Sequence, residues 1–198
     1  MKLLPLALAA LTASLTACSA SPPANWALGG APLDIPRARW TIGPDTIDIM
    51  PDGRIFVDGQ HVFSLDRGGR LYDLEGEPVA LLEPDGRAIG AGDKDLGQVG
   101  ALHASLPDEE TAWLSVLPSG EVIRYDDEGE RIGYGVWMGC NVSMRAHLAC
   151  TFVTHIIGLR IRTREGMAPA GYTPGMGGAG IGIGVGVGVG VGVGVPLQ

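Results

Sequence analysis

Between Trp40 and Trp137 the chain is cut at short intervals by turn dipeptides: Asp52-Gly53, Asp58-Gly59, Gly68-Gly69, Glu75-Gly76, Asp85-Gly86, Ser119-Gly120 and Glu128-Gly129. Glycine accepts the positive φ that tight hairpin turns need, and the stretches between are short and rich in Ile, Val, Leu, Phe and Tyr. The pattern predicts β-hairpins, and it repeats. Gly53-Arg54-Ile55, Gly69-Arg70-Leu71, Gly86-Arg87-Ala88 and Gly120-Glu121-Val122 each open a unit, the first three 16 and 17 residues apart. A second turn and another apolar stretch follow inside each unit, as in Gly59-Gln60-His61-Val62-Phe63 and Gly129-Glu130-Arg131-Ile132. In the third unit Asp93-Lys94-Asp95-Leu96 fills that slot without a glycine. A two-stranded hairpin is marginal alone and gains stability by laying its apolar face on neighbours. Four units in series therefore predict a mainly β fold: a meander, a small roll or a partly closed barrel over 40–138.

Tyr72-Asp73-Leu74-Glu75-Gly76 and Tyr125-Asp126-Asp127-Glu128-Gly129 resemble the Tyr-Asp-x-x-Gly core of the YD repeats of large surface proteins. Those repeats build walls rather than catalytic sites. The chain is too short for the shells they form, so the resemblance implies only a structural β-repeat.

Residues 139–165 change character. Met144, Leu148, Thr151, Phe152, His155, Ile156 and Leu159 recur at spacings of three and four, which predicts one short helix packed on the sheet. From Thr151 to Arg164, β-branched residues and the alternation of Arg160, Arg162 and Arg164 leave helix and strand both open. No charged side chain follows Glu165, and Gly180 to Val195 alternates glycine with Ile or Val. Each glycine would cost a helix about 1 kcal/mol relative to alanine, so a spanning helix is disfavoured. The 166–198 tail is expected to be disordered or to form a sticky β-segment, and it is a candidate for self-association.

The N-terminal end carries an address. Lys2 is followed by fifteen uncharged, mostly apolar residues that end in small ones, too short for a bilayer span, which takes about 20 residues. Leu15-Thr16-Ala17-Cys18 closes that stretch and resembles the lipobox of bacterial lipoproteins. The resemblance implies a signal peptide at 1–17, cleavage before Cys18, and diacylglycerol on its thiol. Ser19 after the lipidated cysteine implies the outer membrane where the cell has one. Residues 18–39, with Pro22, Pro23, Gly29, Gly30, Pro32 and Pro36, read as a lipidated N-terminus and flexible tether that needs no fold of its own.

Charge narrows the partners. Loss of Lys2 with the signal takes the formal net charge from −8 to −9, and residues 19–138 hold 21 acidic against 9 basic side chains. Phosphate binding needs a concentrated basic surface, so nucleic acid is not an expected partner. Membrane lipid through Cys18 and an envelope protein are.

Of the three cysteines, Cys140 and Cys150 remain after Cys18 is assigned to lipid. The intervening residues can return the chain, so these two are expected to form a disulfide, which would stabilise by about 2 to 3 kcal/mol. Adding His147 and His155 gives a donor set that zinc could accept. Its spacing matches no zinc pattern, and on a helix the two histidines would point about 80° apart. His61 and His103 look isolated. Ser64, Ser105, Ser115, Ser119 and Ser143 lack a nucleophile elbow, and Ser119 suits a turn. Glu109-Glu110 and Asp126-Asp127 read as solvated faces. Gly90-Ala91-Gly92 lacks the rest of a phosphate-binding loop. Asp48, Asp52, Asp58, Asp66, Asp73 and Asp93 fall near turns, but their spacing is not that of an EF-hand.

No cofactor, metal or catalytic residue is assigned. The leading reading is a non-enzymatic envelope lipoprotein with a structural or binding role. Its alternative is a metal-dependent or acid–base hydrolase whose site is assembled from scattered Asp, Glu and His side chains.

Overall fold

The structure, a computed structural model, describes residues 21–164. Twelve strands succeed one another in chain order: β1 Ala38–Ile42, β2 Asp45–Ile49, β3 Arg54–Val57, β4 Gln60–Leu65, β5 Arg70–Tyr72 and β6 Pro78–Leu82, then β7 Arg87–Gly90, β8 Lys94–Val99, β9 His103–Ser105, β10 Ala112–Val116, β11 Glu121–Tyr125 and β12 Arg131–Met138. Each pairs antiparallel with its predecessor, and β12 returns to β1 through Arg39 with Met138, Trp40 with Trp137 and Thr41 with Val136. The meander is thus a fully closed barrel, which leaves no sheet edge. The helix α1, Met144–Arg164, follows it. The segments expected to be a low-complexity tail (166–198) and a signal peptide (1–17), and Cys18, lie outside the described residues.

In such a meander, successive loops alternate between the two ends of the barrel. The loops after even-numbered strands, at residues 50–53, 66–69, 83–86, 100–102, 117–120 and 139–143, form an upper rim. Those after odd-numbered strands, at 43–44, 58–59, 73–77, 91–93, 106–111 and 126–130, form a lower rim. The glycines that mark the repeat all sit at the upper rim, where they lock each hairpin. Leu65 N–H donates to Gly53 O, Leu82 to Gly69, Val99 to Gly86 and Trp137 to Gly120. At Gly120, φ is 90° and an added Cβ would lie 2.0 Å from the Trp137 carbonyl oxygen, so two independent constraints exclude a side chain. Leu102 takes the same role for β9 and β10, accepting from Val116 N–H without a glycine.

The helix fills the barrel. Ala149 to Leu159 are all buried, and eleven consecutive residues cover three turns and hence every side of a helix. Only an enclosing wall does that, and a helix buried all round is the kind that sits in a core. α1 enters at the upper rim, where Ser143 caps it by accepting from Ala146 N–H at 3.0 Å. It leaves at the lower rim, where Arg162 reaches Asp127 in the β11–β12 loop at 3.4 Å. Enclosure settles the segment that the sequence left open: the β-branched residues of 151–164 are helical because burial outweighs their intrinsic preference. Gly158 lets the wall come close, since a Cβ there would lie 2.7 Å from the Trp113 ring.

The tether expectation for 18–39 is corrected over its described part. Residues 21–37 form a strap that climbs the outside of the barrel from the lower rim to the upper. Gly92 N–H donates to Ser21 O and Ala24 N–H to Asp93 Oδ1. Trp26 packs edge-on against Tyr72, and Arg70 donates to the carbonyls of Trp26 and Ala27. Gly30, Ala31 and Leu33 N–H then bond to upper-rim carbonyls, and Ala31 and Leu33 are buried. Hydrophobic periodicity is missing because the strap, turned over 24–28 and irregular elsewhere, meets the wall one pocket at a time.

Replacing Gly120 with alanine is expected to lower stability by about 3 kcal/mol, the strain of a side chain at positive φ against backbone. Gly129→Ala, also at positive φ but with open space around its Cβ, should cost about 1 kcal/mol. Denaturant unfolding of the two variants measures the difference.

Candidate functional site

Of the sequence-singled residues, four meet in or beside the plug. Cys140 and Cys150 form a disulfide with Cα atoms 6.1 Å apart, joining the β12–α1 loop to the second turn of the helix. His147 Nε2 lies 2.8 Å from Val116 O, and His155 Nε2 lies 2.6 Å from Leu96 O. The zinc arrangement is therefore not assembled: its sulfurs are joined to each other, and its imidazoles bond to carbonyls of different strands. Among the described residues no group of three or more His, Cys, Asp or Glu side chains is placed to hold a metal ion.

His155 is the most constrained titratable group of the interior. Trp113 Nε1–H donates to its Nδ1 at 2.8 Å, so its proton sits on Nε2 and is given to Leu96 O. Both ring nitrogens are used in the neutral form. Complete burial pushes its pKa down to about 4, against the partial opposition of Leu96 O and Asp95.

Three further groups gather outside the plug. His103 Nδ1 lies 2.7 Å from Ser115 Oγ, which donates to the Tyr125 hydroxyl at 3.3 Å. His103 is therefore not isolated, and neither is His61, which bonds to Phe63 O and Ser64 Oγ. The strand register joins His103 to Ser115 across the β9–β10 hairpin. Ser115 is wholly buried, so its hydroxyl is a wall contact and meets no substrate.

The loop aspartates serve the turns. Asp52, Asp66, Asp73, Asp85 and Asp126 each accept backbone N–H groups two or four residues ahead, which explains aspartate at these positions without a cation.

Three of the four carboxylates that the sequence offered as pairs line one cleft at the lower rim. Glu109, from the β9–β10 loop, and Asp126 and Asp127, from the β11–β12 loop, line one cleft of about 380 Å³ with Thr111, Tyr125, Trp113 and Arg162. Arg162 lies over the Trp113 ring, 5.9 Å from its centroid, and reaches Asp127. Three carboxylates around one guanidinium suit a cationic or hydroxyl-rich group, and the cleft opens where the helix leaves the barrel. Their closeness was not readable locally, because the two loops are separated by a whole hairpin.

No family model, curated protein or solved structure matches this chain.

Protonation of His155 is held back in the fold but not in the unfolded chain, whose histidine titrates near 6.5. Its contribution to stability is therefore complete above pH 6.5, is lost as pH falls from about 6.5 to about 4, and is constant below. A depression of this size corresponds to about 3 kcal/mol. His155→Gln should flatten that part of the stability–pH curve while lowering the curve as a whole, as read by denaturant midpoints at pH 7, 5 and 4. Replacing both Cys140 and Cys150 with alanine is expected to cost about 3 kcal/mol by the loop-entropy argument, measured as a drop in unfolding free energy.

Proposed function

We propose that the chain is a lipid-anchored protein of the bacterial envelope, of the outer membrane where there is one, with a non-enzymatic structural or binding role. The observation that carries this reading is the cysteine distribution. Cys140 and Cys150 are joined to each other, which leaves Cys18 to the lipid chemistry that Leu15-Thr16-Ala17-Cys18 implies. A disulfide of this kind persists in exported proteins and is rare where thiols are kept reduced.

Two features of the barrel support a structural or binding role. Its interior is occupied by the chain's own helix, so recognition falls to the rims and the outer wall. Around the exit of β12, Val136, Met138, Val142 and Met144 are exposed large apolar side chains on neighbouring segments. Apolar surface concentrated in this way is suited to a protein partner.

Intact mass of the membrane-extracted protein tests the anchor. The expected mass lacks residues 1–17 and carries a diacylglyceryl group that is lost in Cys18→Ala. A full-length, unmodified mass would sink the proposal.

A further inference from the structure

β12 carries an apolar stripe on its outer face. Trp137 turns inward to stack on Trp40, while Val136 and Met138 on either side of it are exposed on the outer wall. Val142 and Met144 continue this surface at the upper rim, and the four side chains are between 48 and 71 % exposed. The strand register gives the stripe charged borders of opposite sign. On the β1 side Arg39 is the partner of Met138 and Thr41 that of Val136; on the β11 side Glu121 is the partner of Val136. Residues directly opposite each other on neighbouring strands share a face of the sheet, so Arg39, Glu121 and the stripe all look outward, and both charged residues are exposed. Arg39 holds Asp48 of β2 through Nε and Nη2. Among the described residues its Nη1 and the Glu121 carboxylate make no hydrogen bond.

We propose that the stripe is the contact with a second copy of the chain, two barrels standing side by side about a two-fold axis parallel to β12. This names the partner of the apolar surface described above and rests on the binding role given there; the lipid is not required for it. The borders carry the argument. A two-fold contact sets the same patch of each copy against the other, so the patch must be self-complementary. Rotation about an axis along β12 lays the β1 side of one copy against the β11 side of the other. Val136 and Met138 then meet their own counterparts, and Arg39 of each copy faces Glu121 of the other, twice over. The two charges differ in level by two residues of strand, about 7 Å, which an arginine side chain spans. An axis perpendicular to β12 would instead lay β1 on β1 and β11 on β11, bringing like charges onto the same side. Two convex walls touch along a strip, so the contact falls short of the about 800 Å² per partner of a standard interface and is weak in dilute solution. The parallel axis leaves both Ser21 ends, each fixed at its lower rim, on the same side of the pair. Copies held through Cys18 in one membrane would thus meet in this orientation at a raised effective concentration.

The test is sedimentation of the full chain, extracted from membranes in mild detergent, over a range of concentrations, with a charge-reversal cycle. The wild type is expected to pass from monomer to dimer as concentration rises. Arg39→Glu and Glu121→Arg each turn both cross-contacts repulsive and should weaken the dimer about tenfold, and Met138→Asp should abolish it. Mixing the two charge variants is the decisive arm. In a pair made of one Arg39→Glu copy and one Glu121→Arg copy both cross-contacts are attractive again, so hetero-pairs should exceed either homo-pair, a result that unfolded variants could not give. A wild type that stays monomeric at every concentration overturns the proposal and gives the stripe to a different protein or to lipid. A dimer indifferent to all three substitutions, or variants that form no hetero-pairs on mixing, overturns this pairing as well. The intact mass of the same samples separates the proposal from the anchor. Dimers with an unmodified Cys18 uphold the pairing and defeat the anchor, whereas monomers with lipid on Cys18 defeat the pairing and leave the anchor standing.

Discussion

The fold depends on a hydrogen-bonded register between the plug helix and the barrel wall. The helix carries four polar side chains into the interior, and each finds a separate fixed partner. His147 meets Val116 O, Thr151 donates to Ala101 O, Thr154 accepts from Trp137 Nε1, and His155 is held between Trp113 Nε1 and Leu96 O. The partners lie on β8, β10 and β12 and in the β8–β9 loop, so they fix both the depth and the rotation of α1. Sliding the helix by a turn would leave two indole N–H groups and two imidazoles buried without partners, at about 1 to 3 kcal/mol each. Apolar packing alone would tolerate such a slip far better. The polar contacts select one arrangement from several that would bury similar area.

Closure and plugging require each other. Twelve strands close a ring wider than side chains can fill, as eight strands would allow, and the helix occupies the space that remains. In turn, a helix whose buried residues include a run of β-branched side chains would be marginal in water and is kept helical by the wall. The disulfide ties the two together at the upper rim, joining the β12–α1 loop to the helix five residues before His155. The strap adds an outer layer over β5 to β7, held largely by backbone carbonyls and the Arg70 guanidinium, which also pairs with Asp66.

What was legible in the sequence follows the physics of turns. Four of the six hairpins announce themselves because an upper-rim glycine has no substitute where the backbone of the next strand crosses it, as at Gly120. The hairpin of β9 and β10 is silent because Leu102 makes the same bond without needing that glycine, and the hairpin of β1 and β2 turns instead at Gly43-Pro44. The disulfide was legible because the lipobox resemblance set Cys18 aside and left Cys140 and Cys150 as the expected pair. Ring closure, by contrast, is a contact between β1 and β12, nearly a hundred residues apart, and no local pattern records it. Nor could periodicity tell a helix packed on a sheet from one enclosed by it, since the apolar spacing of Met144 to Leu159 fits both. The strap was misread for a related reason: prolines and glycines mark a chain that cannot be a regular element, and they do not say whether it is docked. The cleft at the lower rim needed the barrel before Glu109 and Asp127 could be placed on one lining.

A barrel filled by its own chain moves recognition to its ends, and here the ends differ in chemistry. The lower rim gathers the carboxylates of three loops, the start of the strap and the outlet of the helix; the upper rim holds the hairpin-locking glycines, the disulfide and the exposed Val136, Met138, Val142 and Met144. The strap is what makes this polarity usable. Because it is bonded to the wall from Ser21 onward, a force or an anchor applied at the N-terminal end is transmitted to the barrel with a defined direction instead of being lost in slack chain. A tether of the same length would let either rim approach a surface. The docked strap fixes the described N-terminal end at the lower rim.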